Sequence, residues 1–254
     1  MPDDRGVLEI ERSNGVAIAT LSRPPANALT AAFLDHIRER FAALEADPQV
    51  SAVVLTGAGR ALSAGMDLKT LPGMDLDAQA AAVDALNAGY GALYGFQKPL
   101  VAAVNGAAVA GGLFFALCAD HRLAALGAGP FSLPEVRVGA PFPIGALEIV
   151  RAELSPAWAR RLLLAGGTID AAAARDAGIL DDIVASETLI DRAVETAAAL
   201  AASPPAAYAA IKRQLRKPVL DQIARTLAAG DDPHRRPWLV ADPAETVPRI
   251  LGRG

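Results

Sequence analysis

Short apolar segments alternate with helical patterns through the first half of the chain, and this alternation restricts the fold more than any other feature. We predict three buried strands, at SAVVLTG (51–57), PLVAAVNG (99–106) and HRLAAL (121–126). Helical patterns separate the strands. Such alternation is typical of a mostly parallel sheet with helices on its faces, so the sequence predicts an α/β fold.

Local signals place the neighbouring elements. Asn14-Gly15 predicts a hairpin over residues 7–22, because this dipeptide favours the tight turn between two antiparallel strands. Thr30 is a predicted N-cap of a helix that ends at Asp47-Pro48. Residues 78–96 form an Ala-rich predicted helix, and from about residue 143 onward we expect almost only helix.

Composition excludes several classes of function. The chain has 254 residues, of which 52% are hydrophobic and 20% charged, which favours a packed core over disorder. A net charge of −4 argues against nucleic acid as a partner, since that partner requires clustered cations. No run of about 18 uncharged apolar residues is present, so we expect no membrane span.

The N-terminal segment MPDDRGVLEI is acidic and lacks the apolar stretch of a signal peptide, so we expect a cytoplasmic location. The single cysteine, Cys118, lies in an apolar run and is predicted to be a small buried residue. Only three histidines occur, and we expect His36 and His234 to lie on the surface. A metal site is therefore not expected, and neither is a histidine-dependent triad.

Two segments join a predicted strand to a predicted helix through small residues: ALSAGMDLK (61–69) and AVAGGLFF (108–115). Small residues let a ligand approach the main chain, and a helix N-terminus offers unpaired N–H donors. Two such junctions that face each other can hold one developing negative oxygen. The alternative is that both are tight packing turns.

A third candidate segment is FSLPEVRVGAPFP (131–143), in which Glu135 is placed among Leu133, Val136, Val138 and Phe142. Apolar surroundings raise the pKa of a carboxyl group, which suits a general base near neutral pH. The alternative is a surface glutamate on a loop.

Taken together, these segments resemble the crotonase superfamily of enoyl-CoA hydratases and isomerases. The resemblance extends over about residues 7–230, and its motifs are LTGAGRALSAGMDL (55–68), AAVNGAAVAGG (102–112), FSLPEVRVGAPF (131–142), RPPANALT (23–30) and GTIDAAAARDAGILDDIV (167–184). It implies a ββα spiral core with the acyl-CoA site in residues 1–200. It also implies a C-terminal helical region, 201–254, that covers the site and forms a homotrimer or a hexamer.

The resemblance also assigns roles to residues. It implies that the backbone N–H groups of Ala64 and Gly111 form the oxyanion hole, and that Glu135 is the catalytic acid/base. Asp67 matches the family's aspartate at the start of the following helix. The residues implied in substrate binding are Ala26, Ala28, Ser63, Gly65, Met66, Asp67, Leu68, Gly112, Phe114 and Pro134. The acyl-CoA thioester is the substrate, and no cofactor or metal is expected.

Phe114 departs from the hydratase pattern, since hydratases of the superfamily have a second glutamate there. One carboxylate cannot easily activate water and also manage the proton at C2, whereas it can carry a proton between C2 and C4. The pattern is similar to mitochondrial-type Δ3,Δ2-enoyl-CoA isomerases, and we predict an isomerase of fatty-acid β-oxidation. Hydration or another reaction of the superfamily remains an alternative, as does a non-catalytic acyl-CoA-binding protein.

The segment IKRQLRKP (211–218) concentrates four cations. It is either a solvated helix face or a site where Lys212 or a neighbour contacts a CoA phosphate. Residues 70–96 are expected to shape the acyl pocket.

Overall fold

The structure, a computed structural model, describes residues 6–240 and 242–250. In this part of the chain the strands are β1 (Val7–Ser13), β2 (Val16–Ser22), β3 (Ala52–Gly57), β4 (Ala61–Ser63), β5 (Leu100–Val104), β6 (Ala107–Val109), β7 (His121–Ala125), β8 (Phe131–Ser132), β9 (Thr168–Ile169) and β10 (Asp182–Val184).

The helices are α1 (Ala31–Ala46), α2 (Leu76–Tyr94), α3 (Gly111–Leu117), α4 (Glu135–Val138), α5 (Ile144–Glu153), α6 (Pro156–Ala165), α7 (Ala171–Asp176), α8 (Leu189–Ala201), α9 (Pro205–Ala229) and α10 (Pro243–Ile250). Two 3₁₀ turns lie at Leu71–Gly73 and Ser186–Thr188. No described helix has both the length and the apolar character needed to cross a bilayer.

The main sheet has six strands in the order β1-β2-β3-β5-β7-β10. The first two form the predicted antiparallel hairpin, and every other neighbouring pair is parallel. All residues of β3 and β5 are buried, because α8 packs against the central strands and the short strands of a second sheet adjoin them. The predicted α/β fold with a mostly parallel sheet is confirmed.

The second sheet has four short strands in the order β4-β6-β8-β9. Three of them follow strands of the main sheet along the chain: β4 follows β3, β6 follows β5, and β8 follows β7. A helix or a helical turn comes next in each case, so the chain repeats a strand–strand–helix unit three times. Because β4, β6 and β8 are parallel neighbours, their carboxyl ends meet at one edge.

The prediction of almost only helix after residue 143 was wrong at two places. β9 pairs with β8, and β10 adds a sixth strand to the main sheet. These strands have two and three residues, too few to show an apolar period. Their place is set by the strands already present, so the local sequence carries little sign of them.

The single cysteine and the three histidines are at least partly buried. Cys118 is fully buried, as predicted, and burial raises the pKa of its thiol to about 12. His36 and His234, which were expected on the surface, are both half-buried. The Nε2 atom of His36 is fully buried and has no hydrogen-bond partner in the described part of the chain.

The C-terminal helices divide between two tasks. α8 packs on the main sheet, whereas α9 packs on α2 and α5. Most large apolar residues of α8 and α9 lie against their own chain, but Ile211 and Leu215 of α9 are 64% and 78% exposed. α10 has eight residues and contains Pro248. The division at residue 200 stays a prediction.

Candidate functional site

The three segments predicted to form a site converge on one cavity. Each follows a strand of the second sheet: Met66 comes after β4, Gly111 after β6, and Glu135 after β8. The cavity has a volume of about 340 Å³. Its lining also includes Leu68, Leu71, Leu86, Tyr90, Phe114, Pro134, Val138, Phe142, Ala146 and Trp238. The topology therefore brings the backbone junctions and the carboxylate together.

The two small-residue junctions pack directly on each other. A Cβ atom on Gly112 would lie 2.1 Å from Ser63 O, and one on Gly65 would lie 2.6 Å from the Cβ of Ala110. Gly65 also has a φ of 80°, and Ala110 has the strained values φ 50° and ψ −121°. Ala110 thus occupies a backbone conformation that normally requires glycine, at a strain cost of about 1–3 kcal/mol. This turn aims the N-terminus of α3 at the cavity.

The backbone donors differ from the predicted pair at one position. Gly111 opens α3, and its N–H has no acceptor in the described part of the chain. The N–H of Ala64, by contrast, donates to Ala26 O at 2.9 Å, so the oxyanion role predicted for Ala64 was wrong. A hydrogen already donated within the fold is not available to a ligand.

Met66 takes the place of Ala64 as the first donor. Leu29 N donates to Gly65 O at 2.7 Å, and Asp67 N donates to Leu29 O at 2.9 Å. The N–H of Met66, between these two bonds, has no acceptor among the described residues. Since Met66 lines the cavity beside Gly111, these two amides form the candidate oxyanion hole.

Asp67 does not begin a helix, contrary to the prediction, because the chain passes through a turn before the 3₁₀ segment Leu71–Gly73. Its Oδ2 accepts from Arg23 Nη2 at 2.9 Å, and both side chains are largely buried. Asp67 thus fixes the early segment RPPANALT to the site. The sequence reasoning missed two residues of that segment: Arg23, which binds Asp67, and Asn27, whose Nδ2 donates to Ala61 O at the start of β4.

Other predicted substrate-binding residues have structural roles. Ser63 is fully buried, and its Oγ donates to Asn27 O at 2.7 Å and accepts from Gly65 N. Gly112 packs on Ser63 instead of facing the cavity. Neither Ser63 nor Gly112 lines the cavity, so the predicted direct contact of these two residues with the substrate was wrong. Ala26 and Ala28 are half-buried outside this cavity, so their part in a CoA path stays a prediction.

Glu135 begins the four-residue helix α4 and faces the cavity. The residue is reached from the cavity, but its Oε2 atom is fully buried and has no hydrogen-bond partner in the described part of the chain. Burial raises the pKa of this carboxyl from its usual 4.5 to about 8. The alternative of a surface glutamate was wrong. One predicted neighbour, Val136, is 51% exposed and does not shield it.

Aromatic rings form the cavity wall beside Gly111. Phe114 is buried, and its ring centroid lies 5.1 Å from that of Tyr90 and 6.0 Å from that of Phe142. Among the described residues that line the cavity, Glu135 is the only carboxylate. The site therefore holds one carboxylate in largely apolar surroundings, with Tyr90 and Arg137 also in the lining.

A C-terminal segment, residues 232–240, is here called the strap, and its residue Trp238 lines the cavity. The backbone N–H groups of Trp238 and Leu239 donate to Gln79 Oε1, and Trp238 Nε1 donates to Pro141 O at 3.0 Å. Val240 N donates to Gly139 O. The strap closes one side of the cavity with Trp238, which the sequence reasoning missed.

The cationic segment 211–218 lies away from this cavity. Lys212 Nζ donates to Asp120 Oδ2 at 2.6 Å and to Lys98 O, and burial lowers its pKa to about 8. Arg216 is also buried and donates to Tyr94 O and Cys118 O. Both predicted alternatives were therefore wrong for Lys212 and Arg216, which are neither solvated nor free for a phosphate. Their exposed neighbours in the segment stay candidates.

Comparison with known proteins adds the family context. A family model described as enoyl-CoA hydratase/isomerase matches residues 11–243. The chain is 33% identical over 211 residues to 2,3-dehydroadipyl-CoA hydratase of Escherichia coli K12, with 83% of this chain and 82% of that protein covered. It is 35% identical over 214 residues to carnitinyl-CoA dehydratase of Escherichia coli K12, with 82% and 80% covered.

Among solved structures, human mitochondrial Δ3-Δ2-enoyl-CoA isomerase superposes with a TM-score of 0.89 at 27% identity, and 97% of each chain is covered. Proteins named for hydration, dehydration and isomerisation are thus all similar to this chain. The side chains of the cavity, rather than the fold, must decide among these reactions.

Proposed function

Because the chain belongs to the enoyl-CoA hydratase/isomerase family, we propose that it is a Δ3,Δ2-enoyl-CoA isomerase, which converts 3-enoyl-CoA to trans-2-enoyl-CoA. The choice of isomerisation over hydration rests on one observation. Phe114 lies three residues after Gly111, and Glu135 is the only carboxylate among the described residues that line the cavity. The acyl-CoA thioester is the substrate, and the proposal needs no further cofactor.

The first task of the site is to hold the thioester oxygen. The N–H groups of Met66 and Gly111 are fixed by the surrounding backbone before any substrate binds. They would donate to the thioester oxygen more strongly as it gains negative charge. Removing one such donor typically costs about 3–4 kcal/mol of transition-state stabilisation, so two of them supply a large share of the catalysis.

Glu135 performs the second task, which is proton transfer. Its carboxylate takes the proton from C2, the C–H electron pair forms the C1–C2 double bond, and the thioester oxygen takes the carbonyl pair. The resulting dienolate collapses when the oxygen returns its pair. The C1–C2 pair then forms the C2–C3 double bond, and the former C3–C4 pair takes the proton at C4 from Glu135. A pKa of about 8 suits a group that both removes and returns a proton near neutral pH.

The aromatic wall performs the third task, which is to exclude water. Phe114 and Phe142 offer no group that could activate a water molecule. A dienolate held between these rings is protonated by Glu135 in preference to solvent.

Hydration of 2-enoyl-CoA is the second candidate, since the two Escherichia coli relatives are named hydratase and dehydratase. The two reactions differ in product. Incubation with cis-3-, trans-3- and trans-2-enoyl-CoA, followed by chromatography of the products, should give trans-2-enoyl-CoA from both 3-enoyl substrates. Formation of 3-hydroxyacyl-CoA at a comparable rate would favour the hydratase. Binding without any turnover would favour an acyl-CoA-binding protein.

The proposal includes a cellular and an oligomeric setting. The reaction would serve fatty-acid β-oxidation in the cytoplasm, and the protein would act as a homotrimer or a hexamer. The exposed apolar residues Ile211 and Leu215 on α9 support burial between subunits.

A further inference from the structure

Tyr90 is a buried residue of α2 whose hydroxyl group makes no hydrogen bond to the residues that the structure describes. Its ring packs against Phe114 and Phe115 with centroid distances of 5.1 and 6.0 Å, and only 2% of the residue is exposed. The residue lines the cavity, yet its hydroxyl has no hydrogen-bond partner among the described residues. The hydroxyl oxygen is not among the fully buried unpaired atoms of the described residues, so it is open to the cavity and available to a ligand there.

Tyr94, one helical turn further along α2, shows the usual arrangement. Its hydroxyl donates to Glu153 Oε1 at 2.8 Å, and its ring stacks with Arg216. At position 90, by contrast, the ring alone would satisfy the packing, and phenylalanine would fill the same space. The hydroxyl of Tyr90 therefore has no structural purpose that the described contacts reveal.

The position of this hydroxyl indicates what it faces. A Cβ atom placed on Gly111 would lie 3.0 Å from the Tyr90 hydroxyl and 3.4 Å from the Cα of Gly65. The hydroxyl is therefore adjacent to Gly111, at the narrow gap where the Gly65–Met66 peptide approaches α3. This is the reactive end of the cavity and not the part where an acyl tail would extend.

We propose that Tyr90 is a third donor to the oxyanion hole, whose hydroxyl donates a hydrogen bond to the thioester oxygen as that oxygen becomes an enolate. The inference rests on the proposed function, because it concerns the same acyl-CoA thioester. Burial, together with the nearby negative charge of Glu135, raises the pKa of this phenol well above its usual 10. The group thus stays protonated and acts as a donor at every pH at which the protein would work.

A neutral phenol at this place has a different effect from the two amides. The amides are fixed and already bind the carbonyl oxygen in the ground state. A hydroxyl can rotate, and it donates more strongly once that oxygen carries negative charge. Its contribution should therefore appear mainly in the transition state. Removing the hydroxyl should then lower kcat and leave KM nearly unchanged.

The test is the variant Tyr90→Phe, with Tyr94→Phe as the matched control. Each removes one hydroxyl from α2, but only the first lies in the cavity. With 3-enoyl-CoA, Tyr90→Phe should lower kcat by about 10- to 100-fold, somewhat less than the loss of a backbone oxyanion donor. KM should change little, and Tyr94→Phe should retain wild-type kinetics.

A binding experiment separates this inference from the proposed reaction. Acetoacetyl-CoA forms an enolate on an oxyanion hole, which near-ultraviolet absorbance detects, whereas butyryl-CoA has the same chain length and does not. Tyr90→Phe should lose affinity for the enolate of acetoacetyl-CoA by about 10-fold and bind butyryl-CoA as the wild type does.

The role of Tyr90 would be overturned if Tyr90→Phe lost affinity for both ligands equally. It would also be overturned if the variant kept the wild-type kcat and the wild-type affinity for the enolate. A wild-type protein that binds both ligands but isomerises nothing would contradict the proposed function, while the enolate measurement would still decide on Tyr90. A wild-type protein that binds neither ligand would overturn both.

Discussion

Ala64 N donates to Ala26 O at 2.9 Å, and this bond leaves the neighbouring amide of Met66 as the donor that faces the cavity. In the proposed reaction, thioester activation then depends on the N–H groups of Met66 and Gly111. We expect Met66→Pro and Gly111→Pro each to lower kcat/KM by about 10²- to 10³-fold, because proline has no N–H. Far-ultraviolet circular dichroism must show a wild-type spectrum for the comparison to hold. A folded Met66→Pro variant with full activity would show that a group other than the Met66 amide donates to the thioester oxygen.

Glu135→Gln keeps the shape of the base and removes its ability to accept a proton. Activity should fall by about 10²-fold or more, a typical contribution of a general base. Binding of butyryl-CoA, measured by calorimetry, should persist, since no backbone donor is altered. Glu148→Gln is the matched control, because Glu148 pairs with Arg151 outside the cavity. A fully active Glu135→Gln variant would exclude Glu135 as the base.

The pH dependence follows from the raised pKa of Glu135. The base must be deprotonated in the free enzyme, so kcat/KM should increase with pH and level off above about 8. Steady-state rates between pH 6 and 9.5 measure this profile, with the CoA thioester monitored for hydrolysis at the alkaline end. A profile that is flat from pH 6 upward would contradict a buried, unpaired carboxyl.

The same group makes the stability depend on pH. The folded state keeps the Glu135 proton up to about pH 8, whereas the unfolded chain releases it near 4.5, so the folded state binds more protons in between. From this group alone, the free energy of unfolding falls as pH rises through that range, by up to about 1.4 kcal/mol per pH unit. Urea unfolding at several pH values should show this slope reduced in Glu135→Gln. Identical slopes in both proteins would argue against the raised pKa.

Trp238 limits the cavity on the side of the strap, so it should influence which acyl chains are accepted. Trp238→Ala should shift the kcat/KM optimum toward longer chains and lower the stability, since a buried Trp→Ala change typically costs about 3–5 kcal/mol. Trp158→Ala is the control, because Trp158 lies outside the cavity and contacts Arg161. The measurement is a series of 3-enoyl-CoA substrates of increasing length. An unchanged optimum in a folded variant would place the end of the acyl chain elsewhere.

The mass of the protein in solution tests its oligomeric state most directly. Light scattering at micromolar concentration should give three or six times 26.1 kDa. Replacing Ile211 and Leu215 by glutamate should reduce that mass, because both side chains are exposed in the single chain and would be buried between subunits. A wild-type monomer that turns over substrate would show that no partner copy is needed.

Local sequence signals predicted the elements whose determinants are close together. Thr30 caps α1 by accepting from Phe33 N, and Asn14-Gly15 forms the hairpin turn, as the sequence indicated. The apolar surroundings of Glu135 were also predicted, because its neighbours in sequence partly reflect its surroundings in space. These features require no knowledge of distant contacts.

The errors concern contacts made over long distances along the chain. The choice between the amides of Ala64 and Met66 depends on acceptors in residues 26–29, which approach only after the sheets form. Lys212 is buried because it meets Asp120, 92 positions earlier, and Trp238 reaches Pro141 across 97 positions. Such pairings have no periodic pattern that a reading of single segments could detect.

Two donors of the proposed oxyanion hole, the amides of Met66 and Gly111, are main-chain groups, and this has a consequence for how the protein tolerates change. Any side chain but proline at position 66 leaves the amide in place, so the activation of a thioester is a property of the fold and survives most single-codon changes there. The reaction that follows depends instead on a few side chains, chiefly at positions 114 and 135. A lineage could therefore exchange one acyl-CoA reaction for another by replacing those side chains, without losing the step that all of these reactions share.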